Sequence, residues 1–397
     1  MQKIAACVAA AFVLVGDLPP AASFAAEVAA PASPGKAALA IPFEPARGLI
    51  LIEIEIDGER VPAVYDSGAA ATVLNSAFPR RAVFAHKGKG TIRGFGGVRE
   101  ANIVRDVPIV VGGRRLHWKA LLESDFSEVE AAFERPFAAI IGVDAFGEDI
   151  ITIDVAARQL RFTPRKRFAP PAGVAKLRFA RGDHPSTDIE IAGIAQSAVV
   201  DTGSSSALHL SARMAQALGI DASGGWGGLT SGAGGLHLER KGLLPSVRFA
   251  GVELHNVPVE VALSDASPAD IGIGAEILSR FRLHLDYAGE RMWAEPYADA
   301  ATRPFDLPYL GAATRRLQPD RLSVVFISEF SPADEAGLAP GDDILAVDGR
   351  PISELPADFS PAELREPGPI TFALADGRTI TVQRRALDVV FQPATAD

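Results

Sequence analysis

Apolar and polar residues alternate in two matched stretches of the chain. LILIEIEIDGERVPAVYD ends at Asp66, and TDIEIAGIAQSAVVD ends at Asp201. Alternation with many β-branched residues, broken by a turn that contains glycine, predicts two antiparallel strands in each stretch. Elsewhere 29 prolines and 37 glycines divide the chain into short segments, and no long amphipathic helical repeat competes with this interpretation. The pattern predicts an all-β protein.

The repeat continues beyond the two aspartates. AAIIGVDAFGEDIITIDVAARQLRF closes the first copy, and DIGIGAEILSRFRLHLDYAGERMW closes the second. Gly142 follows Asp66 by 76 residues, and Gly274 follows Asp201 by 73. Ordinary turns also favour Asp, Ser, Thr and Gly, but chance turns would not agree in order and spacing over this length. The sequence therefore predicts two related lobes.

Each copy places a hydroxyl residue and a glycine directly after its aspartate. Two facing carboxylates about 3 Å apart cannot both ionise, so the pair holds one proton and contains an acid and a base at once. Such a pair can activate a water and protonate an amide carbonyl. The hydroxyls are expected to hydrogen-bond between the two loops, and the glycines to permit their close approach. The residues of this predicted centre are Asp66, Ser67, Gly68, Asp201, Thr202 and Gly203.

These motifs resemble the bilobal aspartic proteases of the retropepsin-like and pepsin-like type. The resemblance covers residues from about 48 to 297 and includes the pairs Ile141-Gly142 and Ile273-Gly274, which look like the element that packs behind each catalytic loop. It implies two small β-barrel lobes at 48–163 and 176–297, with the dyad and its water at their junction. DSGAAATVL looks retropepsin-like, whereas DTGSSS looks like the pepsin form.

Two glycine-rich stretches, TIRGFGGVRE and GLTSGAGGLHLER, are interpreted as flaps because each is flanked by residues that can form a hairpin. The chain has no obvious counterpart to the flap tyrosine of pepsin-like enzymes. Phe95 is the nearest substitute, although it has an equal claim to a place in the lobe core. The candidate flap residues are Phe95, Gly96, Gly232 and Gly234.

A different module follows the second lobe. SPADEAGLAPGDDILAVDGRPI resembles the core of bacterial PDZ domains and implies such a domain at 305–392. In that family an extended peptide adds a strand to the sheet, and backbone amides hold its terminal carboxylate. The candidate carboxylate loop is placed by position and lacks the second glycine of the usual loop. A purely structural β-domain that packs on the protease is the alternative. The loop residues are Tyr309, Leu310, Gly311 and Ala312.

The N-terminus carries the pattern of an export signal. Lys3, an apolar run over 4–15 and the small-x-small site at Ser23-Phe24-Ala25 predict a signal peptide over 1–25, followed by a Pro/Ala-rich linker over 26–47. No later apolar run approaches the roughly 20 residues of a membrane helix. Cys7, the only cysteine, lies within the signal. We expect a periplasmic or secreted protein whose mature form lacks disulfides.

Charge and composition exclude several functions. A net charge of −10 disfavours nucleic acid as a partner. The seven histidines are scattered without HExxH spacing, so no metal site is predicted, and His209 and His237 are expected to be surface or strand residues. Serine catalysis lacks a GxSxG elbow. No cofactor is expected, and one chain supplies both lobes, so a monomer would suffice.

Together these features predict an exported aspartic endopeptidase, a hydrolase of polypeptide substrates. Asp66 and Asp201 would activate the water, and the PDZ-like domain would dock a substrate or partner terminus. The alternative is a catalytically silent peptide-binding scaffold that keeps the protease fold. The matched acids argue against this alternative, because burying two carboxyl groups without a function is unfavourable.

Overall fold

The computed structural model describes most of the chain from residue 38 onward. The described residues are 7–8, 14–16, 38–80, 84–95, 97–133, 135–146, 149–180, 184–264, 269–356 and 359–394. Lys3, the site Ser23-Phe24-Ala25 and Gly96 lie outside them, as does most of the predicted signal peptide and linker. Among the described residues, no helix has both the length and the apolar character needed to cross a membrane.

Strands dominate the described residues, which confirms the predicted all-β class. The strands up to the end of the first repeat are β1 (Cys7–Val8), β2 (Leu14–Gly16), β3 (Leu39–Pro42), β4 (Glu44–Ala46), β5 (Leu49–Ile56), β6 (Glu59–Tyr65), β7 (Val73–Asn75), β8 (His86–Gly94), β9 (Gly97–Val111), β10 (Arg114–Ser124), β11 (Ala139–Ile141), β12 (Asp149–Asp154) and β13 (Gln159–Pro164).

The second repeat is built in the same way and is followed by a short C-terminal set. Its strands are β14 (Lys176–Arg178), β15 (Ser186–Ile191), β16 (Ile194–Val200), β17 (Leu208–Leu210), β18 (Trp226–Gly232), β19 (Gly235–Phe249), β20 (Val252–Ala262), β21 (Ile271–Ile273), β22 (Phe281–Asp286) and β23 (Arg291–Pro296). The C-terminal strands are β24 (Ala312–Gln318), β25 (Arg321–Ile327), β26 (Asp343–Val347), β27 (Arg350–Pro351), β28 (Gly368–Leu374) and β29 (Thr379–Arg384).

Helices are short throughout the described residues. The α-helices are α1 (Ser127–Phe133), α2 (Ala212–Ala217), α3 (Ala275–Leu278) and α4 (Pro332–Glu335), and 3-10 turns cover Val143–Ala145, Arg165–Arg167, Ile352–Glu354 and Pro361–Glu363. Two of these helices begin after a serine, a residue that favours the N-cap position. Ser211 accepts a hydrogen bond from Met214 N before α2, and Ser331 accepts one from Asp334 N before α4.

The two repeats form barrels with the same strand order. In lobe 1 the strands β9, β10, β7, β11, β6 and β5 pair in turn, and β9 pairs with β5 to close the ring. In lobe 2 the ring runs β19, β20, β17, β21, β16 and β15, and β19 pairs with β15. In both lobes the short strand β11 or β21 runs parallel to the strand before the aspartate and antiparallel to the strand after it.

A third sheet joins the lobes. Its order is β14-β23-β22-β12-β13-β3, and its central pair joins β12 of the first repeat to β22 of the second in antiparallel register. Ile151 pairs with Leu285 at this junction, and both side chains are buried in one core cluster that extends into both lobes. The closing strands of each repeat therefore fix one lobe against the other.

The C-terminal strands form a separate sheet with its own core. The order is β24-β25-β26-β28-β29, with β27 paired to β26, and Ile344, Ile370 and Phe372 are fully buried within it. This C-terminal module, strands β24 to β29, docks on lobe 2 through the segment that follows it. Phe391 N donates to Leu243 O at 2.8 Å, and the ring of Phe391 belongs to the main core cluster.

Candidate active site

The two aspartates occupy equivalent positions directly after β6 and β16. Asp66 N donates to Ile141 O at 3.0 Å, and Asp201 N donates to Ile273 O, also at 3.0 Å. Both aspartates are fully buried. The hydrophobic-Gly strands β11 and β21 thus hold the two loops from behind. Glycine is required after each isoleucine, since a Cβ on Gly142 would lie 2.7 Å from Ala69 O.

The hydroxyl residues bind the two loops to each other. Ser67 N donates to Thr202 Oγ1 at 2.9 Å, and Thr202 N donates to Ser67 Oγ at 3.0 Å. Ser67 Oγ also donates to Val200 O at 2.7 Å, and Thr202 Oγ1 donates to Tyr65 O at 3.4 Å. Each hydroxyl therefore accepts from the opposite loop and donates to the backbone of the strand that precedes that same loop. This reciprocal set aligns the ends of β6 and β16.

Each carboxyl group borders the glycine of the opposite loop, so the two acids lie beside each other between the loops. A Cβ on Gly68 would lie 2.8 Å from Asp201 Oδ1, and a Cβ on Gly203 would overlap the Asp66 carboxyl group. Oδ1 of Asp66 accepts from Gly68 N at 2.7 Å and from Ala69 N at 3.2 Å, and Asp201 Oδ1 accepts from Gly203 N at 2.9 Å. Among the described residues, neither Oδ2 atom has a hydrogen-bond partner.

Burial decides how this pair titrates. It raises the pKa of Asp66, although the amides that donate to its carboxylate oppose the shift. Burial, together with the negative charge of Asp66, raises the pKa of Asp201 well above its ordinary value. Both directions follow from two acids in one site of low dielectric constant, which favours a pair that holds a single proton.

Several polar residues behind the dyad were missed by sequence reasoning. The hydroxyl oxygens of Tyr65 and Tyr287 lie 3.4 Å apart in the core. Asp144 accepts from Thr72 Oγ1 at 2.8 Å and from Trp118 Nε1 at 2.7 Å, and burial raises its pKa to about 6. Asp144 lies two residues after Gly142, so its position in the repeat could have identified it from the sequence. Tyr65 and Tyr287 are far apart in the chain, and no sequence motif connected them.

The glycine-rich stretches form two hairpins that meet at their tips. Flap 1 is the hairpin of β8 and β9, and flap 2 is the hairpin of β18 and β19. Gly234 N donates to Phe95 O at 2.9 Å, and Gly232 packs on the Phe95 side chain. Phe95 is buried, but against Val199 of lobe 2 instead of the core of its own lobe. Phe95 is therefore both a flap residue and a buried residue, but the side chains that bury it belong to the other lobe.

The predicted carboxylate loop of the C-terminal module packs tightly on α4. Leu310 is buried, and its carbonyl accepts from Ala333 N at 3.0 Å. Gly311 has a φ of 73° and lies where a Cβ would overlap Ser331, so glycine is required there. Ala312 begins β24, which ends the sheet, and Tyr309 O accepts from Arg385 N. The loop thus leads directly into an edge strand.

Comparison with protein families agrees with this architecture. Residues 187–277 match the aspartyl protease family model. This match contains Asp201, Thr202 and Gly203 together with the pair Ile273-Gly274. Residues 324–363 match the PDZ domain model, which covers the turn and strand that suggested this domain. An aspartyl protease region followed by a C-terminal PDZ domain is thereby confirmed. No curated protein matches the chain.

Proposed function

We propose that the chain is an aspartic endopeptidase whose dyad is Asp66 and Asp201. The observation that carries this proposal is the reciprocal hydrogen bonding of Ser67 and Thr202, which holds two fully buried acids face to face. A peptide-binding scaffold has no need of this arrangement, because burying two carboxyl groups destabilises the fold unless they have a function.

The chemistry follows from one shared proton. The ionised carboxylate removes a proton from a water, whose oxygen bonds to the scissile carbonyl carbon, while the protonated carboxyl donates its proton to the carbonyl oxygen. The resulting tetrahedral intermediate then returns its hydroxyl proton to the dyad. The proton taken from water passes to the departing nitrogen as the C–N bond breaks. The Oδ2 atoms, which have no protein partner among the described residues, are the atoms available to hold the water.

The flaps support an extended polypeptide as the substrate. In the structure β1 pairs in parallel with β18 of flap 2, and β2 pairs antiparallel with β8 of flap 1. Each flap therefore offers a strand edge to which a further strand can add by backbone hydrogen bonds. These edges select for an extended chain, and the side-chain preference is left to the pockets beside it.

The C-terminal PDZ domain would dock the terminus of a substrate or partner. Its strand β24 ends the sheet and is preceded by the loop at Leu310, so the edge of β24 is the proposed place for strand addition. Gly311→Ala, which forces a Cβ against Ser331 at a φ of 73°, distorts this loop and should leave hydrolysis of short peptides intact but alter the choice among proteins. Unchanged selection among protein substrates would argue against docking.

Export and a monomeric state complete the proposal. The pattern of residues 1–25 supports cleavage of a signal near Ala26 and release into the periplasm or the medium. N-terminal sequencing of the protein recovered from cell fractions tests the first point, and its mass in solution tests the second.

Cleavage of a diverse peptide library from acid to neutral pH tests the function. We expect the wild-type protein to hydrolyse extended peptides and the double variant Asp66→Asn/Asp201→Asn to be inactive. Asp57→Asn is the matched control, because Asp57 lies exposed in the turn between β5 and β6 of the same lobe. Folded wild-type protein that binds peptides but cleaves none at any pH would favour the scaffold.

A further inference from the structure

Three polar side chains of lobe 2 meet beside the flap tips. His209 lies in β17, and His237 and Glu239 lie on the same face of β19, the second strand of flap 2. The nitrogen and oxygen atoms that these residues could offer to a metal all lie within 4.8 Å of one another. His209 is 2% exposed, Glu239 is 1% exposed, and His237 is partly buried.

These side chains are buried without hydrogen bonds. Among the described residues, no hydrogen-bond partner is found for either ring nitrogen of His209 and His237 or for Glu239 Oε2, and Glu239 Oε1 has only an ion pair with Lys241. The hydroxyl of Thr230, which pairs with His237 across the hairpin of flap 2, is unsatisfied in the same sense. A buried polar group without a hydrogen bond destabilises the folded state. A cluster of several such groups that converge on one point therefore indicates a ligand.

The charges of the cluster favour a cation. Lys241 Nζ lies 3.1 Å from Glu239 Oε1 and 2.9 Å from Glu260 Oε1, so one ammonium group serves two buried carboxyl groups. An imidazole binds a metal in its neutral form, through the lone pair of a ring nitrogen, and His209 and His237 each offer such a nitrogen.

We propose that His209, His237 and Glu239 bind one divalent transition-metal ion, for which Zn²⁺ is the best match. Two imidazoles and one carboxylate are a recurrent zinc donor set that leaves a fourth position for water. Tetrahedral binding at zinc–nitrogen distances near 2.0 Å requires donor atoms about 3.4 Å apart, so the side chains rotate inward when the ion binds.

The ion would attach flap 2 to the body of its lobe. His209 belongs to the short strand after the catalytic loop, whereas His237 and Glu239 move with the flap. The ring of Phe95, from the tip of flap 1, lies 4.1 Å from the His209 ring and 6.1 Å from the His237 ring. The cluster therefore lies where both flaps converge, and its role is structural rather than catalytic.

The test is a metal titration of the full chain after exhaustive chelation and dialysis. Zn²⁺ is followed by calorimetry, and Co²⁺ by its visible absorption, which reports tetrahedral coordination. We expect one equivalent of either ion and a rise in the melting temperature. His237→Gln and Glu239→Gln should each weaken binding at least about 100-fold, since each removes a ligand. His255→Gln is the matched control, because His255 is exposed on the neighbouring strand β20.

Circular dichroism checks that each variant is folded. If Glu239→Gln does not fold, the test relies on His237→Gln, because His237 is partly exposed. Folded wild-type protein that takes up no stoichiometric metal would overturn the proposal. Unchanged affinity in folded His237→Gln would overturn it as well, because the ion would then lie elsewhere. Neither result depends on peptidase activity, so the site and the proposed function stand or fall separately.

Discussion

The two lobes have matching catalytic loops but different flaps. At the dyad the loops are related by the reciprocal hydrogen bonds of Ser67 and Thr202. At the flap tips, Phe95 and Ala233 occupy the same turn position, and each crosses into the opposite lobe. The first inserts a large ring and the second a methyl group. Two acids that are proposed to share a proton would need matched positions, whereas the flaps are free to differ.

The lobes also differ in what supports the flap from behind. Flap 2 carries the cluster around His237, and its strands contact the C-terminal module. Gly227 N donates to Glu329 O at 3.0 Å, and Arg240 forms a salt bridge with the Glu329 side chain at 2.6 Å. Binding events at the PDZ domain therefore have a direct physical route to flap 2.

The largest effect on stability is expected where the C-terminal segment packs on flap 2. Phe391→Ala removes a ring that is 2% exposed and packs on Gly242 of β19, and loss of a buried Phe destabilises a protein by about 3–5 kcal/mol. Hydrogen exchange should accelerate in β19 and stay unchanged in β9. Val390→Ala, at an exposed neighbour, should change stability by less than about 0.5 kcal/mol. Equal acceleration in both flaps would contradict the asymmetry.

The symmetry of the dyad is tested by its glycines. A Cβ on Gly203 would overlap the Asp66 carboxyl group, and a Cβ on Gly68 would press on that of Asp201. We expect Gly203→Ala and Gly68→Ala each to lower kcat/KM about 100-fold, because small displacements of catalytic groups have effects of this size. Gly224→Ala is the control, since a Cβ there meets no atom within 4 Å. Full activity in one variant alone would show that the loops are not equivalent.

The contribution of each flap tip to the free energy of flap closure should depend on the size of its side chain. Phe95→Ala should weaken flap closure by about 1.5–3 kcal/mol, the usual value for burying a Phe side chain. Ala233→Gly removes one methyl group and should weaken it by about 0.8 kcal/mol. Hydrogen exchange of the two hairpins measures both values. The comparison fails if the Ala233 variant opens as readily as the Phe95 variant.

The smallest effect is the pH dependence of stability. Burial raises the pKa of Asp66 and Asp201, so the folded state binds more protons than the unfolded state above about pH 4. This contribution to stability is fully present below the unfolded pKa and is lost as pH rises through the folded values. Asn mimics the protonated acid, so Asp66→Asn should gain stability over wild type as pH rises. A difference in melting temperature that does not change with pH would contradict the raised pKa values.

Local pattern was enough to predict both families and the strand before each aspartate, because these features are encoded in short motifs and their spacing. Long-range contacts were not predictable in the same way. The sheet that joins β12 to β22 depends on how the finished lobes dock. His209 and His237 looked unrelated in sequence, and no metal site was predicted, because only the folded barrel, in which β20 lies between β17 and β19, brings them together. Phe95 was recognisable at a flap tip, but its pocket in the other lobe was not.

The central claim, that one carboxyl group from each lobe forms a single catalytic unit, is tested by a double-mutant cycle. Asp66→Asn and Asp201→Asn should each lower kcat/KM by about 1,000-fold or more, and the double variant should lose little beyond either single change. This result is predicted because neither acid works without the other. Substantial activity in one single variant, or losses that add in the double variant, would contradict a shared dyad.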